Sequence, residues 1–357
     1  MKRMDDFLQR VGIRHPIIQA PMAGVSTVDL AAAVSNAGGL GSLGVGASPV
    51  EAVRAMLESM RARTRGAVNV NVFCHRRPER RADEEAAWVR HLAPLFEAYH
   101  APPPQALEEI YRSFLDDRAC LELLLEQKPA VVSFHFGLPP VAWIDALRGA
   151  GVFTMATATC LDEAVQIERA GVDAIVAQGF EAGGHRGVFD PATPDEALPC
   201  AVLVRQLVKR TRLPVIASGG IMDGAGIRAM LALGAVAAQL GTAFVACPES
   251  SAGDGYRAML HSPRAASTRM TSAISGRPAR GIVNRLIAFA EAPGAPRIPP
   301  YPLAYDAAKR LAAAAQRQGS AECSAMWAGQ GAPLIREMPA AELVAALVEE
   351  LGVKSEE

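Results

Sequence analysis

The sequence lacks the features that mark several large classes of protein. Its six cysteines stand alone with no CxxC pair, so neither a zinc site nor a disulfide framework is expected, and reduced thiols suit the cytosol. No apolar run reaches the roughly 18 residues that a membrane-spanning helix needs, and the first residues have no apolar signal-peptide core. Lysine and arginine (36) nearly balance aspartate and glutamate (37), so neither nucleic acid nor an anionic membrane is expected as a partner. These absences predict a cytoplasmic globular protein.

Signature motifs of nucleotide-dependent and metal-dependent enzymes are also missing. The glycine-rich run at 38–46 does not match the G-x-G-x-x-G spacing that opens a helix, so a dinucleotide-binding Rossmann domain is a poor interpretation. There is no Walker loop and no histidine pair at the spacing of a metal site, so no metal is predicted.

Short apolar segments alternate with helical ones through most of the chain. Half of the 357 residues are hydrophobic, which is enough for a large core. Continuously apolar strands separated by helices are typical of a parallel sheet covered on its outer face. Eight such units predict an α/β protein with a closed (β/α)8 TIM barrel rather than an open doubly wound sheet. The predicted strands are Ile17–Ala20, Gly39–Leu43, Val68–Phe73, Ala130–Phe136, Val152–Thr157, Ala174–Gln178, Val215–Ser218 and Ala237–Gly241.

Two regions interrupt this alternation. Residues 76–125 are charged and carry three consecutive prolines, which indicates helices and a loop inserted after the third strand. Residues 262–310 open with a stretch rich in proline, glycine and arginine, which predicts a cap or lid segment beside the barrel mouth. We therefore expect the main barrel over 1–261, the cap over 262–310, and C-terminal helices packing back on the barrel over 311–357.

Two glycine-containing loops follow the seventh and eighth predicted strands. Barrels commonly bind phosphate there, with glycine amides and a nearby helix N-terminus. Gly219 and Gly220 let the backbone approach a ligand closely, and Thr242 beside Gly241 adds a hydroxyl. Plain turns are the alternative, but two such loops in these places favour a phosphate site.

Polar residues at other strand ends suit a planar ring. Asn71 lies near the exit of an apolar strand, where its amide needs hydrogen-bond partners. Gln178 opens the loop Gln178-Gly-Phe-Glu-Ala-Gly-Gly-His-Arg-Gly, in which His185 and Arg186 would bring positive charge near an anionic cofactor or substrate. The alternatives are an asparagine satisfied by backbone groups and a purely structural loop.

A histidine at the exit of the fourth predicted strand carries the chemical prediction. His135 lies in Val131-Val-Ser-Phe-His-Phe-Gly, between two phenylalanines. Facing a planar cofactor ring, it would be placed to act as a base or a hydrogen-bond donor. A core histidine satisfied by backbone groups is the alternative.

As a set, these segments resemble the class I nitronate monooxygenases, formerly called 2-nitropropane dioxygenases, over nearly the whole chain. Some of them, including Glu181–Gly187 and the phosphate loops, also recur in relatives with other activities. The segments that carry the resemblance are Gln19–Gly24, Ala31–Gly41, Val132–Gly137, Glu181–Gly187, Ser218–Ile221, Gln239–Phe244, Ser275–Gly281, Tyr301–Leu303 and Trp327–Gly331.

The resemblance implies FMN as the cofactor and His135 as the catalytic histidine. It also implies that Tyr301, Tyr305 and Lys309 bind substrate at the active-site mouth, together with His185. Tyr301, Tyr305 and Lys309 are spaced by four residues, which suits one face of a helix. The alternative to a substrate-binding face is a solvated one. The implied FMN contacts are Met22, Asn71, Gln178, Gly183, Gly219, Gly220, Gln239, Leu240, Gly241 and Thr242.

The implied activity is oxidation of an alkyl nitronate by dioxygen, through a flavin semiquinone, to a carbonyl compound plus nitrite or nitrate. Propionate 3-nitronate is the expected substrate. A rival on the same scaffold is an NAD(P)H-dependent reductase of quinones or of enoyl-acyl-carrier-protein, and in the latter His185 would be the key residue. A non-catalytic FMN-binding barrel is a third alternative, because a fold alone does not establish chemistry.

Overall fold

A ring of eight parallel strands forms the centre of the protein. The computed structural model describes residues 2–352. The strands are β1 (Ile17–Gln19), β2 (Gly41–Gly44), β3 (Val68–Phe73), β4 (Val131–His135), β5 (Phe153–Ala158), β6 (Ala174–Gln178), β7 (Gly184–His185), β8 (Val215–Ser218), β9 (Ala237–Leu240), β10 (Thr268–Thr271) and β11 (Ala279–Ile282). The helices are α1 (Lys2–Val11), α2 (Val28–Asn36), α3 (Val50–Arg63), α4 (Ala82–Ala98), α5 (Arg118–Gln127), α6 (Val141–Gly149), α7 (Leu161–Arg169), α8 (Cys200–Arg210), α9 (Gly224–Ala232), α10 (Thr242–Val245), α11 (Asp254–Leu260), α12 (Arg285–Ala290), α13 (Leu303–Gln316) and α14 (Ala340–Leu351).

The central sheet closes on itself. Its strands follow the order β1-β9-β8-β6-β5-β4-β3-β2. The two ends of this order meet where the Gln19 N–H donates to the Leu40 carbonyl at 3.0 Å and the Leu40 N–H donates to the Ile17 carbonyl at 2.9 Å. The predicted (β/α)8 TIM barrel is confirmed. Each barrel strand begins and ends within two residues of its predicted bounds.

Short polar side chains determine where several outer helices begin. Thr27 accepts from the third residue of α2, with 3.0 Å between its hydroxyl oxygen and the Leu30 nitrogen. Asp117 and Asp223 cap α5 and α9 in the same way. Such caps satisfy backbone donors that have no partner inside the helix. Within residues 2–352, no helix is long and apolar enough to cross a membrane.

The N-terminal side of the barrel is filled by apolar side chains. Phe7 of α1 packs edge-on against Phe153 of β5, with ring centroids 5.8 Å apart. Ile18, Met155 and Ile216 belong to the same buried cluster. Because this side is closed, the C-terminal ends of the strands are the side on which a ligand can enter, as in other barrels of this type.

A second, three-stranded sheet ties the segment after the barrel to the loop that follows β6. β10 and β11 pair antiparallel, and β11 also pairs with β7 inside that loop. α13 packs against α4, and α14 packs against α2 and α9. Residues 353–357 of the predicted C-terminal segment lie outside the described residues.

The predicted helix face at the barrel mouth is correct for two of its three residues. Tyr305 and Lys309 lie on α13, but Tyr301 precedes the helix. The reason is Pro302, which takes the N-cap position, so the helix begins only at Leu303.

Candidate active site

A large cavity opens at the C-terminal ends of the barrel strands. Its volume is about 1250 Å³, and residues at the ends of β1, β3, β4, β6, β8 and β9 line it together with α13. Leu240 is the one predicted FMN contact that does not line it, because its side chain is buried in the core between barrel and helices. The predicted residues that do line it are Met22, Asn71, His135, Gln178, Gly183, His185, Gly219, Gly220, Gln239, Gly241, Thr242, Tyr301, Tyr305 and Lys309.

The loops after β8 and β9 present unpaired backbone donors to this cavity. The N–H groups of Gly219, Gly220 and Gly241 find no acceptor among residues 2–352. A Cβ atom added to Gly241 would make only ordinary van der Waals contacts, at 3.5 Å with the Cβ of Ala20 and 3.8 Å with the Sδ of Met22. Thr242 accepts from the Gly329 N–H at 3.0 Å, which leaves its own O–H free to donate. Such a cluster of donors at the cavity wall fits a phosphate group.

Two amide side chains lie deeper in the site. Asn71 donates from Nδ2 to the carbonyl and hydroxyl oxygens of Ser133, at 3.1 and 2.9 Å. Its Oδ1 has no donor among the described residues and can accept from a ligand. Gln178 donates to the His185 carbonyl at 2.9 Å and accepts from the Gly187 N–H at 2.8 Å. Gln178 therefore shapes the loop after β6 with both ends of its amide.

Arg186 does not bring charge to the ligand, and that expectation was wrong. Its buried guanidinium pairs with both carboxylate oxygens of Asp195, at 2.7 and 3.0 Å, and also donates to the Gln178 carbonyl. Asp195 neutralises the charge, and Arg186 does not line the cavity. Its contacts instead hold the loop after β6 in place.

His135 is held in one tautomer by two partners. Its Nε2 lies 3.2 Å from the His185 carbonyl oxygen, and since a carbonyl only accepts, Nε2 carries the proton. Nδ1 then accepts from the Thr157 hydroxyl at 3.0 Å. Burial lowers the pKa of His135 to about 4. The ring is therefore neutral at physiological pH, and both of its nitrogens are occupied.

His185 leaves one ring nitrogen free. Its Nε2 lies 2.9 Å from the Ser275 hydroxyl oxygen. That hydroxyl donates to the Arg277 carbonyl at 3.0 Å, so it accepts the proton of His185 Nε2. Nδ1 consequently carries a lone pair and has no partner among residues 2–352. Burial lowers the pKa of His185 to about 3, with smaller contributions from His135 and Arg277, so this nitrogen is a weak base.

Four of the five tyrosines of the chain line the cavity. Tyr301 and Tyr305 were predicted, whereas Tyr111 from the inserted segment and Tyr256 from α11 were not. Trp327 was also missed as a site residue, and its ring centroid lies 5.2 Å from that of His185. The scarcity of tyrosine in the sequence is the one signal that singles out Tyr111 and Tyr256.

Lys309 supplies the cationic side chain in the cavity wall. Its Nζ lies 5.0 Å from the ring centroid of Tyr111 and 5.7 Å from that of Tyr305, and no carboxylate pairs with it among the described residues. Asp254 is the only acidic residue within 2–352 that lines the cavity. Burial raises the pKa of Tyr305 to about 12, so its hydroxyl stays protonated and can donate. This wall suits an anionic ligand.

The closed barrel and the cavity at the C-terminal ends of its strands define a (β/α)8-barrel enzyme. Comparison with known proteins narrows this class. A family model described as nitronate monooxygenase matches residues 5–350. The chain therefore belongs to the nitronate monooxygenase family and is an oxidoreductase.

Individual relatives are similar over nearly their full lengths. A nitronate monooxygenase of Pseudomonas aeruginosa is 54% identical, with 97% of this chain and 99% of the relative covered. One of Paraburkholderia phytofirmans is 58% identical, with 96% and 94% covered. The solved structure of a nitroalkane oxidase from Streptomyces ansochromogenes matches with a TM-score of 0.88 at 39% identity, over 97% of this chain and 98% of that one.

Proposed function

We propose that this enzyme uses FMN and dioxygen to oxidise alkyl nitronates, with propionate 3-nitronate as substrate, to a carbonyl compound plus nitrite or nitrate. The observation that carries the proposal is His185, whose Nδ1 is free but belongs to a ring with a pKa of about 3. A nitroalkane needs a base to remove its α-proton, whereas a nitronate has already lost it. A weak base in an anion-binding cavity therefore suits the nitronate.

FMN fits the residues that line this cavity. The unpaired N–H groups of Gly219, Gly220 and Gly241 and the free hydroxyl of Thr242 would hold its phosphate. Asn71, with its free Oδ1, would bind the edge of the flavin ring. When bound, the flavin accepts electrons from the substrate and passes them to dioxygen.

The contacts of the two histidines favour other roles for them than the sequence predicted, when it made His135 the catalytic histidine. Both ring nitrogens of His135 already have partners, so we give it a positioning role through the His185 carbonyl. His185 then contacts the reacting end of the substrate. Its Nδ1 accepts a proton when a neutral nitroalkane binds and stays unprotonated when a nitronate binds.

The carboxylate end of the substrate would contact another side of the cavity, the one formed by Lys309 and Tyr305. Propionate 3-nitronate carries a carboxylate as well as a nitronate, and Lys309 has no carboxylate partner among the described residues. The protonated hydroxyl of Tyr305 provides a second donor beside it. Tyr301, Tyr305 and Ile274 come from the segment 262–310, which in this proposal acts as the cap of the site.

Oxygen uptake and nitrite release by the purified enzyme test the proposal. Propyl-1-nitronate should be turned over with a kcat/KM at least about 100-fold above that for 1-nitropropane, because a base as weak as His185 removes the α-proton slowly. Equal rates on the two would contradict it. If the enzyme is instead the rival reductase, it should oxidise NADH rapidly with a quinone and release no nitrite from nitronates. Its key loop would be the same one after β6.

A further inference from the structure

Arg277 is a buried guanidinium with no carboxylate beside it. It lies in the turn between β10 and β11 and is only 4% exposed. It donates to the Val188 carbonyl, while its Nε has no hydrogen-bond partner. Within residues 2–352, no acidic oxygen lies within the 4.0 Å of an ion pair. Arg186 shows the usual solution for a buried arginine, since Asp195 neutralises it.

One aromatic ring separates this charge from the inner wall of the cavity. The Arg277 guanidinium lies 4.3 Å from the ring centroid of Phe136. The same ring lies 4.5 Å from His135 and 5.6 Å from His185, centroid to centroid. Phe136 has a φ of +71°, a backbone conformation that residues with side chains rarely adopt. Such strained positions persist where the surroundings hold them and are frequent at functional sites.

Nearby acidic groups form no ion pair with Arg277 within residues 2–352. Glu163 and Asp190 offset its charge only from a distance, and the Glu163 carboxylate accepts from the Thr159 and Phe189 N–H groups. Asp190 lies 3.9 Å from the exposed Arg76. The two histidines on the cavity side of Phe136 are neutral at physiological pH, because their pKa values lie well below 7. In a poorly solvated interior an uncompensated charge acts over several ångströms.

We propose that Arg277 is the residue that selects the anionic form of the substrate. Acting through Phe136, its charge, which no ion pair within residues 2–352 neutralises, makes the side of the cavity formed by His135 and His185 (the histidine wall) electropositive, so that a bound nitronate is stabilised and a neutral nitroalkane is not. Arg277 touches neither substrate nor cofactor, and it acts as a specificity-determining residue at a distance. The inference rests on the proposed function, because it concerns the same cavity and the same anion.

Binding of two unreactive probes to the FMN-loaded enzyme tests this role without turnover. Butanoate matches propyl-1-nitronate in size and charge, and butanamide is its neutral counterpart. Their dissociation constants can be measured from the change each causes in the visible spectrum of the bound flavin. Arg277→Gln removes the charge but keeps a donor for the Val188 carbonyl, and Arg277→Lys keeps the charge.

Arg280 offers a matched control. Its guanidinium is also buried without an ion pair within residues 2–352, and it lies over Phe180 at 4.9 Å, on β11 directly after the turn that holds Arg277. It contributes nothing to the lowered pKa of either His135 or His185. Arg280→Gln therefore removes a buried charge that does not face the histidine wall.

The expected result is a selective loss of anion binding. Arg277→Gln should weaken butanoate by roughly 10- to 30-fold, the effect of one unit charge at such distances in a protein interior, and leave butanamide unchanged. Arg277→Lys and Arg280→Gln should keep the wild-type preference for butanoate. Equal weakening of both probes in Arg277→Gln would overturn the inference. A folded Arg277→Lys variant that loses the preference would do so as well, even if Arg277→Gln fails to fold.

Failure of this inference about Arg277 can be distinguished from failure of the proposed function. Failure of the wild-type enzyme to oxidise nitronates would remove the proposed reaction, yet an Arg277-dependent preference for butanoate would still support anion selection. Nitronate turnover with an unchanged preference in Arg277→Gln would leave the reaction in place and remove this role of Arg277.

Discussion

The Nε2 atom of His185 lies 2.9 Å from the hydroxyl oxygen of Ser275, and this contact determines which nitrogen of the histidine is free. Because Ser275 gives its own proton to a backbone carbonyl, it can only accept from His185. The second histidine, His135, donates from Nε2 to the backbone carbonyl oxygen of His185, at 3.2 Å. The site therefore contains one histidine with a free nitrogen and one without.

Replacement of His185 by asparagine should affect neutral and anionic substrates differently. Asparagine still offers a donor to Ser275 but has no basic nitrogen. We expect kcat/KM for 1-nitropropane to fall by about 100-fold, the lower end of what a general base contributes because His185 is a weak one, and that for propyl-1-nitronate to fall much less. Flavin content should stay at the wild-type level. Steady-state oxygen uptake with both substrates provides the measurement.

His135→Asn is the companion variant for this test. It should lower turnover of both substrates together and less severely, because His135 acts through the backbone of the loop. A selective loss on 1-nitropropane in His135→Asn, with His185→Asn nearly unaffected, would return the catalytic role to His135 as the sequence predicted. His261→Asn, at an exposed position, is the control for histidine loss in general.

Replacement of Lys309 by methionine should discriminate between nitronates with and without a carboxylate. The KM for propionate 3-nitronate should rise by roughly tenfold or more, since a charge-assisted hydrogen bond contributes about 1.5–3 kcal/mol. The KM for propyl-1-nitronate should change little. Arg310→Met is the matched control, because Arg310 pairs with Asp306 and Glu108 away from the cavity. An equal rise in KM for both nitronates would show that Lys309 does not bind the carboxylate.

A valine at position 241 should impair cofactor retention. Gly241 lines the cavity beside the unpaired donors, so a branched side chain would occupy the place proposed for the phosphate. We expect the dissociation constant for FMN to rise at least about tenfold, as the loss of one strong hydrogen bond would cause. Gly149→Val is the control, because Gly149 lies outside the cavity and a Cβ atom added there meets nothing within 4 Å. Normal FMN content in Gly241→Val would place the phosphate elsewhere.

Stability should fall in a defined acid range. Burial lowers the pKa of His75 to about 4, of His135 to about 4 and of His185 to about 3, whereas each titrates near 6.5 in the unfolded chain. Between about pH 4 and 6.5 the unfolded state therefore binds more protons, so the free energy of unfolding decreases as the pH falls through this window. Above it, these histidines contribute no further change.

Denaturant unfolding at several pH values measures this effect. Its slope with pH reports the number of protons taken up, to which the three histidines together contribute up to three. His75→Asn, which removes a histidine whose ring nitrogens have no hydrogen-bond partner, should reduce the uptake by about one proton. A pH-independent free energy of unfolding between pH 4.5 and 6 would contradict neutral histidines in the folded state.

The barrel and the positions of its glycine loops could be read from the sequence because they depend on local patterns. A buried parallel strand such as β6 is apolar along its length, and a residue just past its end lies at the open side of the barrel. The locations of Gln178 and Gly220 follow directly. Neither inference needs any knowledge of contacts distant in the chain.

The parts that were missed depend on contacts that no local sequence pattern marks. Arg186 turns away from the cavity because Asp195, nine residues further on, neutralises it, and nothing in the sequence between them indicates that contact. Ser275 reaches His185 only because β11 pairs with β7 in a second sheet. The tautomer of His185, on which the chemical argument depends, is therefore a property of the folded chain alone.

The central claim is best tested by anaerobic mixing of the purified FMN-bound enzyme with propionate 3-nitronate and, separately, with NADH, while the visible spectrum is recorded. The account predicts that the nitronate reduces the flavin rapidly and that NADH leaves its spectrum unchanged on the same timescale. Rapid bleaching by NADH with no response to the nitronate would contradict it and make the protein a reductase on the same barrel.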